Sequence, residues 1–175
     1  RRAEALSTRF AAQWLRLQDL SKVSPDYLQY PQYDERLAEG FRRETELFFE
    51  SIVREDRNVV DLLTADYTFL NERLAKHYGI SNVYGSRFRR MTLPVDMDYR
   101  RGLLGKGSFL AVTWTQNFRS SPVKRGVWVL ETLFNDPPAP TPDDVPPLEE
   151  KDGVVKGTVR QVLEAHRANP QCAGC

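Results

Sequence analysis

The residues whose type and spacing most clearly indicate a chemical function are the only two cysteines, Cys172 and Cys175, in C-x-x-C spacing. Such a pair serves as a disulfide or redox centre, as half of a zinc site, or as the thiols that attach a haem covalently. Zinc needs two further ligands, and the only histidines, His77 and His166, lie far upstream. A thioredoxin-like redox pair needs a βαβ context, which this helix-rich sequence lacks. Haem attachment uses C-x-x-C-H, and the iron-ligating histidine of that motif is not among these 175 residues.

A second group of residues with binding potential surrounds the start of a helix predicted from Pro122 to about Phe134. Ser120 and Ser121 precede it, and a serine hydroxyl can accept a hydrogen bond from a first-turn amide. Three basic residues crowd this helix start: Arg119, Lys124 and Arg125. Because cations oppose the helix dipole at that end, the cluster indicates either an anion-binding site or pairing with acidic residues elsewhere in the chain.

Length, charge and hydropathy restrict the remaining possibilities. A chain of 175 residues suits one domain, or one domain and a small appendage, and can bury a sizeable core. Twenty-five basic and twenty-four acidic residues give a net charge of +1, which argues against a dedicated nucleic-acid binder. No apolar run is long enough to span a bilayer. The first residues resemble the interior of an amphipathic helix, so we expect a fragment or processed product of a larger protein.

Helical periodicity dominates the first part of the chain. The first helix is expected to end before Ser24-Pro25. Its apolar face is expected to consist of Leu6, Phe10, Trp14 and Leu17, with Ala11 and Leu15 beside them. A proline-punctuated loop with three tyrosines follows: Tyr27, Tyr30 and Tyr33. These rings could stack on a sugar or a base, although packing against neighbouring helices is the simpler interpretation.

The next helix is predicted to begin at Asp34, whose carboxylate is suited to cap it. Its inner face is expected to consist of five residues: Leu37, Phe41, Thr45, Phe48 and Ile52. Glu44, Glu46 and Glu50 have no histidine at helical spacing, so they do not form a metal-binding pattern and are expected on the solvated face.

A third helix is predicted through four apolar residues: Phe69, Leu70, Leu74 and Tyr78. Gly79 would close it in the left-handed conformation, with His77 as a capping or packed residue in the last turn. Between Asn82 and Tyr99 a weak alternation predicts a short strand or an extended loop. The glycines that follow, Gly102, Gly105 and Gly107, do not match a phosphate loop and indicate close backbone packing of a helix.

The end of the chain combines prolines with a last predicted helix. Prolines concentrated between Pro137 and Pro147 favour an extended polyproline arm, and the helix after it ends at Asn169-Pro170. The sequence therefore predicts a mainly α fold, a helical bundle-like domain with irregular loops and a polyproline arm. We expect a helical domain over 1–80, a segment over 81–150 that packs on it, and a C-terminal segment over 151–175. No set of residues forms a catalytic constellation.

Four blocks of sequence resemble, in order, the adjoining domains of unknown function in large planctomycete-type cytochrome c-like proteins. These blocks are RRETELFFESIVREDRNVVDLLTADYTFLNERLAKHYGI, RRGLLGKGSFLAVT, SSPVKRGVWVLETLFNDPPAPTPDDVPPLEE and AHRANPQCAGC. The resemblance covers nearly the whole chain, and the SPVKRG block with its proline arm is quite specific. The turn before that block, which is often asparagine-rich in the family, reads WTQNFRSS here.

The resemblance implies that Cys172 and Cys175 attach haem c and that residues 151–175 begin a haem-attachment module. It also implies a periplasmic or otherwise extracytoplasmic protein with several domains, in which this chain supports electron transfer or forms part of a redox enzyme. Expected partners are other domains or chains of the same larger protein and a redox partner. The alternative is a non-catalytic scaffold or interaction domain, with glycan binding among its possible roles and a disulfide at the C-x-x-C pair.

Overall fold

A computed structural model describes residues 2–114, 121–140 and 158–168 of the chain. The chain divides into two compact units, Arg1–Asp136 and Pro137–Cys175. The described part of the first unit is mainly α and contains a two-stranded antiparallel sheet. The mainly α prediction is therefore confirmed in its coarse form.

The chain begins with a helical segment that changes its winding in the middle. Two short α-helices, α1 (Arg2–Ala5) and α2 (Ala12–Trp14), flank a π-helical turn over Leu6–Ala11. The prediction that Leu6 and Phe10 face inward is wrong, since Phe10 is 54% exposed. Leu6 is also exposed, whereas Leu17 is buried as predicted, together with Ala11 and Leu15, which the same pattern placed beside these residues.

The long helix α3 (Glu35–Arg54) is the central element of the first unit. Asp34 Oδ1 accepts a hydrogen bond from the Leu37 amide at 2.7 Å, which confirms the predicted N-cap. All five residues predicted for the inner face are buried: Leu37, Phe41, Thr45, Phe48 and Ile52. The helix contributes to two apolar clusters, one around Phe48 and one around Phe41.

The short helix α4 (Asp61–Thr64) leads into strand β1 (Tyr67–Leu70), which pairs antiparallel with β2 (Arg89–Thr92). Strand β2 lies where the sequence predicted a strand or loop, so that prediction is confirmed. Placing Phe69 and Leu70 in a helix was wrong, because Asn71 caps the helix that follows, α5 (Glu72–Tyr78). The Asn71 side chain accepts a hydrogen bond from the Leu74 amide at 2.9 Å, and the residues before it are free to extend.

Helix α5 ends as predicted. Gly79 adopts the left-handed conformation with φ of 74°, and His77 lies in the last turn. Among the described residues of the first unit there are also three 3-10 segments: Leu17–Lys22, Val95–Arg100 and Leu103–Gly105.

Close backbone approach explains the glycines around the next helix, α6 (Gly107–Val112). A Cβ atom at Gly102, whose φ is 55°, would overlap the backbone of Leu63, and one at Gly105 would overlap the backbone of Arg100. The sequence prediction for these glycines is confirmed, because the segment packs without room for side chains.

Helix α7 (Pro122–Val129) continues as a π-helical turn over Leu130–Phe134, within the predicted bounds. The Ser121 side chain accepts a hydrogen bond from the Lys124 amide at 3.2 Å. The Trp128 ring of α7 meets the Phe109 ring edge to face at 4.9 Å between centroids. Trp14 Nε1 donates to the Thr132 carbonyl at 2.7 Å, which ties the N-terminal segment to this helix.

In the second unit, the described residues are 137–140, which are exposed and have no regular structure, and 158–168, which contain helix α8 (Val159–Arg167). Most of the predicted proline arm, and the predicted helix end at Asn169-Pro170, lie outside the described residues. None of the described helices is long and apolar enough to cross a bilayer.

Candidate functional site

A buried carboxylate and a buried ammonium group lie in the interior of the first unit. Glu44 of α3 and Lys106, the residue before α6, are each only 1% exposed. The expectation that Glu44, Glu46 and Glu50 lie on a solvated face was wrong, since all three are buried. The helical period itself contains the signal, because Glu44 is three residues after Phe41 and four before Phe48 and therefore shares their face.

Glu44 is held by hydrogen bonds from two other elements. Thr68 of β1 donates its hydroxyl hydrogen to Oε1, and Tyr78 of α5 donates to Oε2 at 2.6 Å. The Tyr78 oxygen in turn accepts a hydrogen bond from the Gly107 amide at 2.9 Å. This chain of bonds connects the start of α6 to α3 through a single tyrosine.

Lys106 is buried in the same unit. Its ammonium group donates to the Tyr67 carbonyl at 3.1 Å and lies 4.3 Å from the centroid of the Phe48 ring. The sequence around Lys106 gives no local signal for its burial. The burial depends on α3 and α5, which pack against this segment only in the folded chain. A Cβ atom at Gly107 would overlap the Phe41 ring and lie 2.7 Å from the Tyr78 hydroxyl.

Burial dominates the protonation of this cluster. It raises the pKa of Glu44, although the charges of Lys106 and Arg100 and the bonds from Thr68 and Tyr78 oppose that shift. It lowers the pKa of Lys106 to about 8, against the attraction of Glu44. The pKa of Tyr78 is well above its usual value because of burial and the adjacent Glu44 carboxylate. Tyr78 therefore keeps its proton and remains a donor.

Arg100 connects this cluster to a pocket. Its guanidinium lies 4.0 Å from the centroid of the Tyr78 ring, as in a cation–π contact, and Nη1 lies 3.4 Å from the Gly105 carbonyl. Nε is buried and has no hydrogen-bond partner among the described residues. Arg100 also makes no ion pair with any described carboxylate.

The pocket has a volume of about 160 Å³ and is lined mainly by aromatic and apolar side chains. In its wall, Tyr30 and Trp114 meet edge to face at 6.4 Å between centroids, and Phe41 and His77 meet at 5.3 Å. The remaining lining residues are Val23, Pro25, Gln32, Tyr33, Arg100, Gly107, Leu110 and Ala111. Two tyrosines of the predicted aromatic loop therefore form part of one pocket, whereas Tyr27 is 72% exposed.

The described wall of the pocket carries one fixed positive charge and no carboxylate. Arg100 supplies that charge. The pKa of His77 is lowered by burial and by the nearby cations Arg100 and Arg73, so the imidazole is neutral at pH 7. The Tyr33 hydroxyl is buried in the wall without a hydrogen-bond partner, as Arg100 Nε is. The wall thus offers donors, and the available partner for them is a ligand or water.

The described residues of the predicted anion site, Lys124 and Arg125, do not line this pocket. Lys124 is exposed in the first turn of α7, and Arg125 is half-buried with an unpartnered Nε. Neither forms an ion pair with a described carboxylate, so the expected pairing with acidic residues is not seen within the described part of the chain. Arg119 lies outside the described residues, and the anion site at this helix start remains a prediction.

Cys172 and Cys175 also lie outside the described residues, so haem attachment through them remains a prediction. Among the described residues, no group of three or more His, Cys, Asp or Glu side chains is arranged to hold a metal ion. The pocket and the buried cluster were both missed from sequence, because their residues come from segments that only the tertiary fold brings together.

Comparison with known proteins divides the chain into two matches. Residues 1–80 match a family described as PSD4, a protein of unknown function (DUF1592). Residues 100–175 match a family described as PSCyt3, a protein of unknown function (DUF1588). No curated protein and no solved structure matches the chain. The chain is therefore similar, in order, to two domains of unknown function, which confirms the coarser part of the resemblance found in the sequence.

Proposed function

We propose that this chain is a helical module of a larger, extracytoplasmic c-type cytochrome-like protein, in which Cys172 and Cys175 attach a haem. One observation carries the proposal: both cysteines, in C-x-x-C spacing, lie within residues 100–175, which match PSCyt3. That name hints at planctomycete cytochrome c-like proteins. The other domains or chains of the larger protein, and a redox partner, would then be its partners.

Covalent attachment of haem would use the two cysteine thiols and not the described pocket. Two thiols at this spacing are the groups that bond the vinyl carbons of haem c. The pocket of about 160 Å³ is close to the roughly 150 Å³ of a cavity that holds benzene, which is too small for a porphyrin. Bound haem would supply one-electron transfer. The described part of the first unit would contribute a folded domain whose interior is held by the hydrogen bonds of Glu44 and Tyr78.

The test is to produce the natural protein that contains this chain in a host with c-type haem maturation. We expect its intact mass to be raised by one haem and the pyridine adduct to absorb as a c-type haem. The double variant Cys172→Ser/Cys175→Ser, made in the same host, should lack both signals. A colourless wild-type protein of unmodified mass would contradict the proposal.

The second candidate is a scaffold or interaction module without a cofactor, in which Cys172 and Cys175 form a disulfide or pair with another chain. The aromatic pocket favours this candidate, because a concave site with few polar groups is typical of ligand binding. Thiol counting before and after reduction separates the two. Disulfide-bonded cysteines react only after reduction, whereas thioether bonds to haem resist the reductant.

A further inference from the structure

The pocket beside Arg100 has properties that the haem proposal does not use, and the inference below does not depend on that proposal. Its volume of about 160 Å³ can enclose roughly one ring, by comparison with the benzene-sized cavity of about 150 Å³. Five aromatic side chains line it: Tyr30, Tyr33, Phe41, His77 and Trp114. Aromatic walls favour a ligand with a flat apolar face, such as an aromatic ring or the C–H face of a sugar.

Charge distinguishes this pocket from a purely apolar cavity. The charged groups that interact in this region are two carboxylates, Glu44 and Asp34, and three cations, Lys106, Arg100 and Arg73, of which Arg73 is paired with Asp34. Cations exceed carboxylates whether or not Glu44 holds a proton. Arg100 is the cation that lines the pocket, and no described carboxylate lies within ion-pair distance of it. An anionic ligand would therefore offset an unmatched charge.

The form of the available donors indicates the kind of anion. A guanidinium matches the planar, two-oxygen geometry of a carboxylate and can donate to both oxygens. The buried Tyr33 hydroxyl has no partner and is a further donor in the same wall. A single lining guanidinium balances one negative charge, so a monocarboxylate suits the site better than a doubly charged phosphate.

We propose that this pocket binds a small monocarboxylate built on one ring, with the carboxylate at Arg100 and the ring among Tyr30, Phe41 and Trp114. Two sources share that chemistry, a sugar acid and an aromatic acid. The pocket is a binding site in this proposal, and no bond of the ligand is broken there.

The test titrates the full 175-residue chain with four probes by calorimetry and ligand-observed NMR: glucuronate, glucose, benzoate and benzyl alcohol. We expect one of the two acids to bind and its neutral counterpart to bind at least about tenfold weaker, because a charge-assisted hydrogen bond is lost. Which acid binds identifies the source. The proposal is wrong if neither acid binds, if the neutral counterpart binds equally well, or if inorganic phosphate competes as effectively as the acid.

Two variants assign the binding to this pocket by different routes. Arg100→Gln removes the charge, and Ala111→Phe fills the space while leaving Arg100 intact; each should reduce the affinity at least about tenfold. If Arg100→Gln fails to fold, Ala111→Phe still decides the question. Arg160→Gln, which removes one exposed cation from α8, should leave binding unchanged. Acid binding that survives both pocket variants, or that is lost only in Lys124→Ala, would overturn the assignment.

Discussion

The Tyr78 hydroxyl donates a hydrogen bond to Glu44 Oε2 at 2.6 Å, and both side chains are buried. The same hydroxyl oxygen accepts the Gly107 amide hydrogen at 2.9 Å. One hydroxyl thus couples α3, α5 and the start of α6, which are distant in the sequence. Because Gly107 and Arg100 line the pocket and both contact Tyr78, this coupling also positions part of the pocket wall.

The first prediction concerns that hydroxyl. Tyr78→Phe keeps the ring under Arg100 but removes a donor from the buried Glu44 carboxylate and an acceptor from the Gly107 amide. Leaving buried polar groups without partners costs about 1–3 kcal/mol, so the free energy of unfolding should fall by roughly that amount. Denaturant unfolding measures the change. Tyr84→Phe, at a residue 69% exposed, is the matched control and should stay within about 0.5 kcal/mol of wild type. Equal losses in the two variants would contradict a special role for Tyr78.

A second prediction tests the close packing at the start of α6. In Gly107→Ala the new methyl group would overlap the Phe41 ring and crowd the Tyr78 hydroxyl, 2.7 Å away. Phe41 and Tyr78 are both buried, so neither can move freely, and we expect a loss of about 1–3 kcal/mol in the free energy of unfolding.

The chain contains a matched control for this substitution. Gly126 lies inside α7, and a Cβ atom there would meet nothing within 4 Å. Gly126→Ala should therefore raise the free energy of unfolding by about 0.5–1 kcal/mol, as expected for alanine in a helix interior. Thermal or denaturant unfolding of both variants gives the sign of the change in the free energy of unfolding for each. A gain in stability at Gly107→Ala would show that the interior is looser than described.

Local signals explain what the sequence could predict. The N-caps Asp34 and Ser121, the inner face of α3 and the end of α5 at Gly79 each depend on residues within one or two turns. Such signals also placed α7 with nearly correct bounds. The close packing of Gly102, Gly105 and Gly107 was predicted as well, although the partners in that packing were not.

What the sequence did not predict depends on distant partners. Strand β1 is extended because β2 pairs with it, and the pairing joins Tyr67 to Thr92. The charge of Glu44 favours a solvent-exposed position, although its spacing places it on the buried face of α3. Its burial could not be predicted locally, because its hydrogen-bond donors Thr68 and Tyr78 lie on other elements. The pocket combines the tyrosine loop with Arg100 and Trp114, and no local pattern relates these segments.

The third prediction uses the buried ammonium group. Burial lowers the pKa of Lys106 to about 8, against an ordinary value of 10.5 in the unfolded chain. Between these two values the unfolded chain binds more protons than the folded one, so stability rises with pH. We expect the wild type to gain stability relative to Lys106→Met as the pH rises from 8 to about 10.5, in denaturant unfolding at a series of pH values. The same comparison with Lys124→Met, at an exposed lysine, controls for the loss of an amine. A difference between wild type and Lys106→Met that stays flat across this window would contradict the burial of a charged ammonium.

The last prediction concerns His77 at the edge of the pocket. Its pKa is lowered from 6.5 because burial, Arg100 and Arg73 disfavour the imidazolium. As the pH falls below 6.5, the unfolded chain takes up a proton before the folded chain does, and the free energy of unfolding decreases. The wild type should therefore lose stability relative to His77→Gln as the pH falls below 6.5, whereas the two should run parallel above it. The free energy of unfolding is measured for both proteins through this pH range, and the difference between them is taken at each pH. This difference removes the contribution of the carboxylates, which titrate in both proteins. A difference of the opposite sign would mean that an anionic group of the protein or a bound anion stabilises the imidazolium. The neutral state assigned to His77 in the pocket would then be wrong.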